Sequence, residues 1–143
     1  MKILILSDLT IPQKRLVCEM IDNISKYLYF KKHKVDNFTY STFSKEKIDR
    51  EYKIYRFGIK DIKRFKKFYI RITLETINSL IIYLKLLFTK KKYDRVFTYT
   101  PSIFLSFAST MFFKNKNLTR ILFLQDITLQ NAISVGLTKK NKF

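Results

Sequence analysis

The chain alternates short apolar runs with longer segments in which apolar residues recur every three or four positions. The short runs predict five β-strands, at about 2–8, 35–40, 53–57, 95–99 and 119–124. The longer segments predict helices at about 12–31, 61–88 and 100–113, of which the second is either one long helix or two. A short last helix is predicted from about Thr128 to Gly136.

The first two predicted helices each have an apolar side and a charged side. In the first helix, the residues expected to pack on a sheet are Val17, Met20, Ile21, Ile24, Tyr27 and Leu28. Its polar side consists of Lys14, Glu19, Asp22, Asn23 and Lys26. The apolar stripe of the second segment consists of Ile62, Phe65, Tyr69, Ile72, Ile77, Leu80, Leu84 and Leu87. Its basic side consists of Lys63, Arg64, Lys66, Lys67 and Arg71.

The third predicted helix is almost wholly apolar as far as Phe113. Thr100 followed by Pro101 suits an N-cap and a first helical residue. Because the segment has no polar side, we expect this helix to be buried between other layers of the protein.

Strands that alternate with helices at this spacing predict an α/β fold, a Rossmann-like, doubly wound parallel sheet in the order 3-2-1-4-5. A length of 143 residues favours a single domain. Polar residues at 7–8, at 98–102 and at Asp126 follow the carboxyl ends of predicted strands. Open α/β sheets bind ligands at that edge, which makes it the predicted site.

Common cofactor and metal signatures are missing from the sequence. The turn at 9–15 contains no glycine, which argues against the phosphate-binding turn of a dinucleotide site. The single cysteine, Cys18, lies in the first predicted helix and is interpreted as a packing residue. His33 has neither a second histidine nor a thiol beside it, so a zinc site is not expected. We predict no cofactor and no metal.

The balance of 29 basic against 11 acidic residues gives a net charge of +18. Such a charge favours an anionic partner, either nucleic acid or lipid, although a low-G+C codon bias also enriches lysine. The sequence has no helix-turn-helix, RNP-like or zinc pattern, which favours lipid over nucleic acid as the partner. Residues 70–88 approach membrane-spanning length but include Arg71, Glu75 and Lys85, so we do not expect them to span. No signal peptide is evident at the start, and we expect a cytoplasmic chain.

Three stretches contain short motifs in a distinctive order. They are residues 1–8 with Pro12 and 32–35, residues 93–102, and residues 124–137. These stretches resemble the opening strand and Gly-His-x-Val turn, the Tyr-Asp-x-Val strand with its Ser-Pro-Pro-like loop, and the Arg-Asp-Leu-Trp-Pro-Glu-Ser-Ala segment of one family. In this order the chain resembles the N-terminal half of GT-B glycosyltransferases of family 4, particularly those of bacterial capsule and O-antigen clusters.

The resemblance implies an enzyme that transfers a sugar from a nucleotide-sugar donor to an acceptor carried on a membrane lipid. In that family the N-terminal domain holds the acceptor side, while a second domain binds the donor. The chain is therefore expected to be a truncated or split enzyme, inactive until a separate donor-binding domain complements it. It would work at the inner face of the cell membrane.

The resemblance also assigns residues to this site. Asp126 is the candidate catalytic residue, since a carboxylate there can orient or deprotonate an acceptor hydroxyl, and it can equally cap the following helix. The candidate acceptor-cleft residues are Ser7, Asp8, Arg15, Thr100, Ser102 and Gln130. Arg15 and Leu16 stand where many family members have Gly-Gly, and Lys32 replaces the glycine before His33.

Two alternatives to a transferase remain open. The basic side at 63–71 lies beside aromatic and aliphatic residues, a pattern that suits either an anionic membrane surface or a solvated helix face. A non-catalytic membrane-surface protein of a polysaccharide assembly would share the same fold. The charge and the 23 aromatic residues, 14 Phe and 9 Tyr, keep a nucleic-acid-binding module as a further alternative.

Overall fold

Five strands and three helices make up the computed structural model, which describes residues 1–9, 16–40, 50–58, 68–89, 91–100, 102–114 and 117–123. In chain order they are β1 (Lys2–Ser7), α1 (Leu16–Phe30), β2 (Lys34–Tyr40), β3 (Lys53–Phe57), α2 (Phe68–Phe88), β4 (Arg95–Tyr99), α3 (Ile103–Phe113) and β5 (Thr119–Phe123). The five predicted strands all lie within a residue or two of their predicted positions.

All five strands are parallel and form one sheet in the order β3-β2-β1-β4-β5. The α/β class and the predicted strand order are confirmed. In the central part of the sheet, Ser7 lies opposite Thr39 of β2 and Tyr99 of β4. The carboxyl ends of these three strands therefore meet at one edge.

Successive residues of a strand point to opposite sides of the sheet, so the buried strands present apolar side chains to both faces. Helices pack on both of these faces. Ile3 and Ile5 belong to a buried cluster that includes Ile21 of α1. Leu4 and Leu6 belong to a second cluster that includes residues of α2 and α3. The sheet is thus doubly wound, with α1 on one face and α2 and α3 on the other.

The packing side of α1 differs from its prediction. Asp22 and Ser25 are buried, whereas Tyr27, which was predicted to pack, is 62% exposed. Both buried polar groups have partners, since Ser25 donates to the Ile21 carbonyl and Asp22 accepts from Tyr52. A polar side chain can be buried when it is hydrogen-bonded. The hydrophobic periodicity of the sequence does not reveal such hydrogen bonds.

The predicted apolar stripe of α2 lies on the outside of the protein. Ile77, Leu80, Leu84 and Leu87 are all exposed by more than a third of their surface. The side chains that α2 buries are Asn78, Ser79, Ile82 and Leu86. The prediction of which side packs was therefore wrong.

Two predictions for α3 were also wrong. The helix begins at Ile103 with Ser102 as its N-cap, rather than at Pro101 with Thr100 as the cap. The hydroxyl of Thr100 instead accepts a 2.8 Å hydrogen bond from the backbone N–H of Ser102. The helix is not enclosed either, since Ile103, Phe104, Phe107 and Met111 remain exposed while Leu105 and Phe113 face the sheet.

Two turns place residues in the left-handed region of backbone space. Lys32 has φ 61° at the end of α1, where His33 N–H bonds the Leu28 carbonyl and Lys32 N–H bonds the Tyr29 carbonyl. These two bonds form a Schellman motif with lysine at the position that glycine usually occupies. Gly58 has φ 96° directly after β3.

Candidate functional site

The carboxyl edge of β1, β2 and β4 concentrates polar side chains on both faces of the sheet. The buried ones are Ser7, Asn37, Thr39, Thr98, Thr100 and Ser102, together with the hydroxyl-bearing Tyr40 and Tyr99. Asp8 follows Ser7 and is partly buried. Because these strands are neighbours in the centre of the sheet, their carboxyl ends bring these polar groups to one edge.

One polar group lies on the α1 face of the sheet. The Ser7 hydroxyl donates to Asn37 Oδ1 at 3.4 Å, and Thr39 lies beside Ser7 in the register. Asn37 Nδ2 and Thr39 Oγ1 are buried and make no hydrogen bond to the residues that the structure describes. Buried donors are normally paired, so this amide and hydroxyl have the capacity to bind a polar ligand group.

A second polar group lies on the opposite face, around Tyr40 at the end of β2. The Tyr40 hydroxyl is 2.6 Å from Ser79 Oγ, and Ser79 in turn donates to the Glu75 carbonyl at 2.9 Å. Since the one hydroxyl proton of Ser79 is used in the helix, Tyr40 is the donor to Ser79. Burial raises the pKa of Tyr40, and the negative charge of Asp8 raises it further. Tyr40 therefore stays protonated at neutral pH and acts here as a hydrogen-bond donor.

Ser102 brings the start of α3 to the same edge. Its carbonyl accepts from both the backbone and the hydroxyl of Ser106, and its own N–H donates to Thr100. Its hydroxyl is buried near the Tyr40 hydroxyl and lowers the pKa of that group, but it makes no hydrogen bond of good geometry within the described parts of the chain. Ser102 Oγ is therefore available to a ligand at this edge.

The structure brings four of the predicted site residues together at this edge: Ser7, Asp8, Thr100 and Ser102. Arg15, Asp126 and Gln130 lie outside the described residues, as do Lys63, Arg64, Lys66 and Lys67. Arg71 lies within α2. The first turn of the predicted first helix, the start of the second, and the predicted last helix also lie outside them.

The sequence pattern did not single out Asn37, Thr39, Tyr40 and Ser79 as site residues. Three of these residues are in β2, which buries six consecutive residues from Val35 to Tyr40. A strand buried on both faces is usually a continuous apolar run. The polar residues within this otherwise buried strand were the signal that could have pointed to the site.

A separate polar cluster lies toward the opposite, amino-terminal edge of the sheet. Asp36 Oδ2 accepts hydrogen bonds from Lys91 Nζ and from the Tyr93 hydroxyl, both at 2.9 Å. Burial and the adjacent Asp36 raise the pKa of Tyr93. Burial lowers the pKa of Lys91, but its hydrogen bonds to Tyr55 and Asp36 outweigh that effect and raise it overall. This cluster ties β2 to the segment before β4.

Within the described ranges, no group of three or more histidine, cysteine or carboxylate side chains could hold a metal ion. Cys18 is buried in α1. None of the helices in these ranges is sufficiently long and apolar to cross a bilayer.

The sequence matches no family model, and no curated protein gives a significant match. The functional interpretation therefore depends on the fold, the polar edge and the motif resemblance.

Proposed function

We propose that the chain is the acceptor-side domain of a GT-B glycosyltransferase that acts in cell-surface polysaccharide synthesis. The main support is the group of polar side chains at the carboxyl edge of a 3-2-1-4-5 parallel sheet. Hydroxyl and amide groups of this kind suit a saccharide, whose many hydroxyls both donate and accept hydrogen bonds. The order of the three motif stretches supports the same assignment.

In this proposal the edge binds the acceptor and orients one of its hydroxyls. Ser102, Thr39 and Asn37 contribute hydrogen-bonding groups, and Asp8 accepts from a saccharide hydroxyl. Asp126 takes the proton of the reacting hydroxyl as its oxygen attacks the anomeric carbon of a nucleotide sugar. The glycosidic bond forms as the bond to the nucleoside diphosphate breaks, and that diphosphate leaves. No metal or cofactor is assigned a role.

Transfer also requires a second Rossmann-like domain that binds the donor and closes over the acceptor. We propose that this donor domain and a lipid-linked saccharide are the partners of the chain. The basic residues at 63–71 would hold the protein peripherally against the inner face of the anionic membrane. The alternative is a non-catalytic membrane-surface or nucleic-acid-binding module with the same fold.

Saturation-transfer NMR on the purified chain tests the acceptor assignment. The probes are a panel of water-soluble glycosyl diphosphates and oligosaccharides, with UDP-glucose and a single-stranded oligonucleotide as comparators. We expect saturation transfer to saccharide acceptors and none to UDP-glucose. Binding of UDP-glucose alone, of the oligonucleotide alone, or of no saccharide in the panel would contradict the acceptor-side assignment.

Paired variants localise the binding. Ser102→Ala and Asp8→Asn should each weaken acceptor binding several-fold, because each removes or weakens a hydrogen-bonding group at the edge. Thr110→Ala, on the exposed side of α3, and Glu19→Gln, on the exposed side of α1, are the matched controls and should bind as the unmodified chain does. Equal loss in the controls would place the binding elsewhere.

A further inference from the structure

The outward sides of α2 and α3 form one apolar surface, which we call the α2–α3 face. It consists of Ile77, Leu80, Leu84, Leu87, Phe88, Ile103, Phe104, Phe107 and Met111, each more than a third exposed. A groove of about 260 Å³ runs between the helices, with Leu80 and Tyr83 on one wall and Phe104, Phe107 and Met111 on the other. The two helices thus present a continuous surface rather than separate exposed residues.

So many exposed apolar side chains on one surface are unusual for a protein whose surface contacts only water. Single exposed leucines are common, but nine large apolar side chains on two adjacent helices are characteristic of an interaction site. Among the exposed side chains that the structure describes on α2, from Tyr69 to Phe88, only Lys85 is charged. A solvated helix normally has its charges on that side.

The charges around the face are unevenly distributed. Of the acidic residues in the described ranges, only Glu75 belongs to α2 or α3, and it is half-buried beside Tyr40. Lys85 and Lys114 are exposed on α2 and directly after α3, and Lys92 is exposed just beyond α2. The whole chain has a net charge of +18. An anionic surface therefore attracts the protein and meets no carboxylate on the outward side of these two helices.

We propose that the α2–α3 face docks on a lipid bilayer that contains anionic headgroups, with its phenylalanine and leucine side chains entering the interface. The apolar face supplies the burial and the surrounding lysines supply the attraction, the combination that holds amphipathic surfaces in a membrane interface. The docking does not require sugar transfer, and it places membrane contact on α2 and α3 rather than on residues 63–67 alone.

A second copy of the chain is the competing occupant of this face. Pairing the face with itself would bring together two molecules that each have a charge of +18, with Lys85 and Lys114 of both copies at the margin. Like charges in such proximity oppose association. An anionic bilayer attracts the positively charged protein, whereas a second copy repels it. The charge distribution therefore favours lipid over self-association.

The absence of tryptophan from the sequence allows a direct test. Phe107→Trp places a single fluorophore on the α2–α3 face, and Phe30→Trp places one at an equally exposed position of α1, on the other side of the sheet. With vesicles of phosphatidylglycerol and phosphatidylcholine, we expect a blue shift of emission for Phe107→Trp and none for Phe30→Trp. No shift for either variant, or the same shift for both, overturns the proposal.

Vesicle co-sedimentation gives the second measurement. The double variant Leu84→Glu/Phe107→Glu should lose at least tenfold in binding, whereas Leu16→Glu, at an exposed position of α1, should bind normally. Both variants are checked for an unchanged thermal transition, and Leu84→Gln/Phe107→Gln replaces the glutamate pair if that pair unfolds. Normal binding by the double variant overturns the proposal, as does a concentration-dependent dimer that the same substitutions abolish without any lipid binding.

Discussion

The hydroxyl of Tyr52 donates a 2.5 Å hydrogen bond to Oδ1 of Asp22, joining the residue before β3 to the middle of α1. Both residues are buried, at 3% and 6% exposure. Lys26 Nζ lies 2.9 Å from the other carboxylate oxygen, and Arg50 Nε lies 3.3 Å from Oδ1. The charge of Asp22 is thus compensated from three directions, which allows a carboxylate on the sheet-facing side of a helix.

Removing the Tyr52 hydroxyl should weaken the fold. Tyr52→Phe keeps the ring but leaves a buried carboxylate with one donor fewer, so we expect the free energy of unfolding to fall by about 1–3 kcal/mol. Urea unfolding followed by circular dichroism measures the change. Tyr29→Phe, at an exposed position of α1, is the control and should change little. A loss of similar size in both variants would contradict the role of the buried hydrogen bond.

Asp22 should also make stability depend on pH in the acid range. Burial favours its neutral form, but the hydrogen bonds from Lys26 and Tyr52 and the charge of Arg50 outweigh burial and hold the pKa of Asp22 below its ordinary value of 3.8. The folded state therefore binds this proton less readily than the unfolded state does. The resulting stabilisation is present above about pH 4 and is lost as the pH falls through the folded-state pKa.

Urea unfolding between pH 6 and pH 2.5 checks that sign. The free energy of unfolding should fall less steeply below pH 4 in Asp22→Asn than in the unmodified chain, because the variant lacks the titrating group. Glu19→Gln, on the exposed side of the same helix, should retain the steeper fall. Identical slopes in Asp22→Asn and the unmodified chain would refute a stabilising charge at this position.

The strands were predictable because their signals are local. Lys53–Phe57 alternates and ends at a glycine, and Arg95–Tyr99 is a short β-branched and aromatic run, so both were placed at their observed bounds. The order of the sheet followed from the handedness and shortness of the connections. The side of a helix that packs on the sheet was harder to predict from the sequence, because it depends on partners that are distant along the chain. Tyr52, the partner of Asp22, is an example.

Gly58 should tolerate no side chain. Its φ of 96° is strained for alanine, and a Cβ there would overlap the side-chain amide of the buried Asn78. Gly58→Ala should lower the free energy of unfolding by about 1–3 kcal/mol from backbone strain, with a steric contribution in addition. In a double-mutant cycle, Asn78→Ala should recover the steric part only. Strict additivity of the two substitutions would show that the residues do not clash.

Lys32 offers the opposite case, in which glycine should stabilise. Lys32 adopts φ 61° in the Schellman motif, where a Cβ is unfavourable. Lys32→Gly should raise the free energy of unfolding by about 0.5–1 kcal/mol, after allowance for the greater freedom of glycine in the unfolded chain. Lys31→Gly, one residue earlier and without positive φ, should destabilise. Thermal unfolding of the two variants measures the difference. A higher stability of Lys31→Gly than of Lys32→Gly would contradict this explanation.

The candidate site was predictable in part. Ser7, Asp8, Thr100 and Ser102 could be placed at one edge because they follow strands whose order was predictable. The contributions of Asn37, Thr39 and Tyr40 were harder to predict, because the polar residues of β2 mark the strand as unusual but do not identify the partners that they meet in the fold. The Tyr40–Ser79 contact also requires α2 to pack through Ser79, opposite to the side that its hydrophobic periodicity favours.

The central position of β1 has a consequence for synthesis of the chain. Lys2 and Asp94 are hydrogen-bonded although they lie 92 positions apart, so β1 is made well before β4, its second neighbour in the sheet. Until β4 emerges, the apolar run Ile3–Leu6 has β2 on one side and an open backbone edge on the other. Nascent chains of this topology are exposed to wrong strand pairing for longer than those whose central strand is made late.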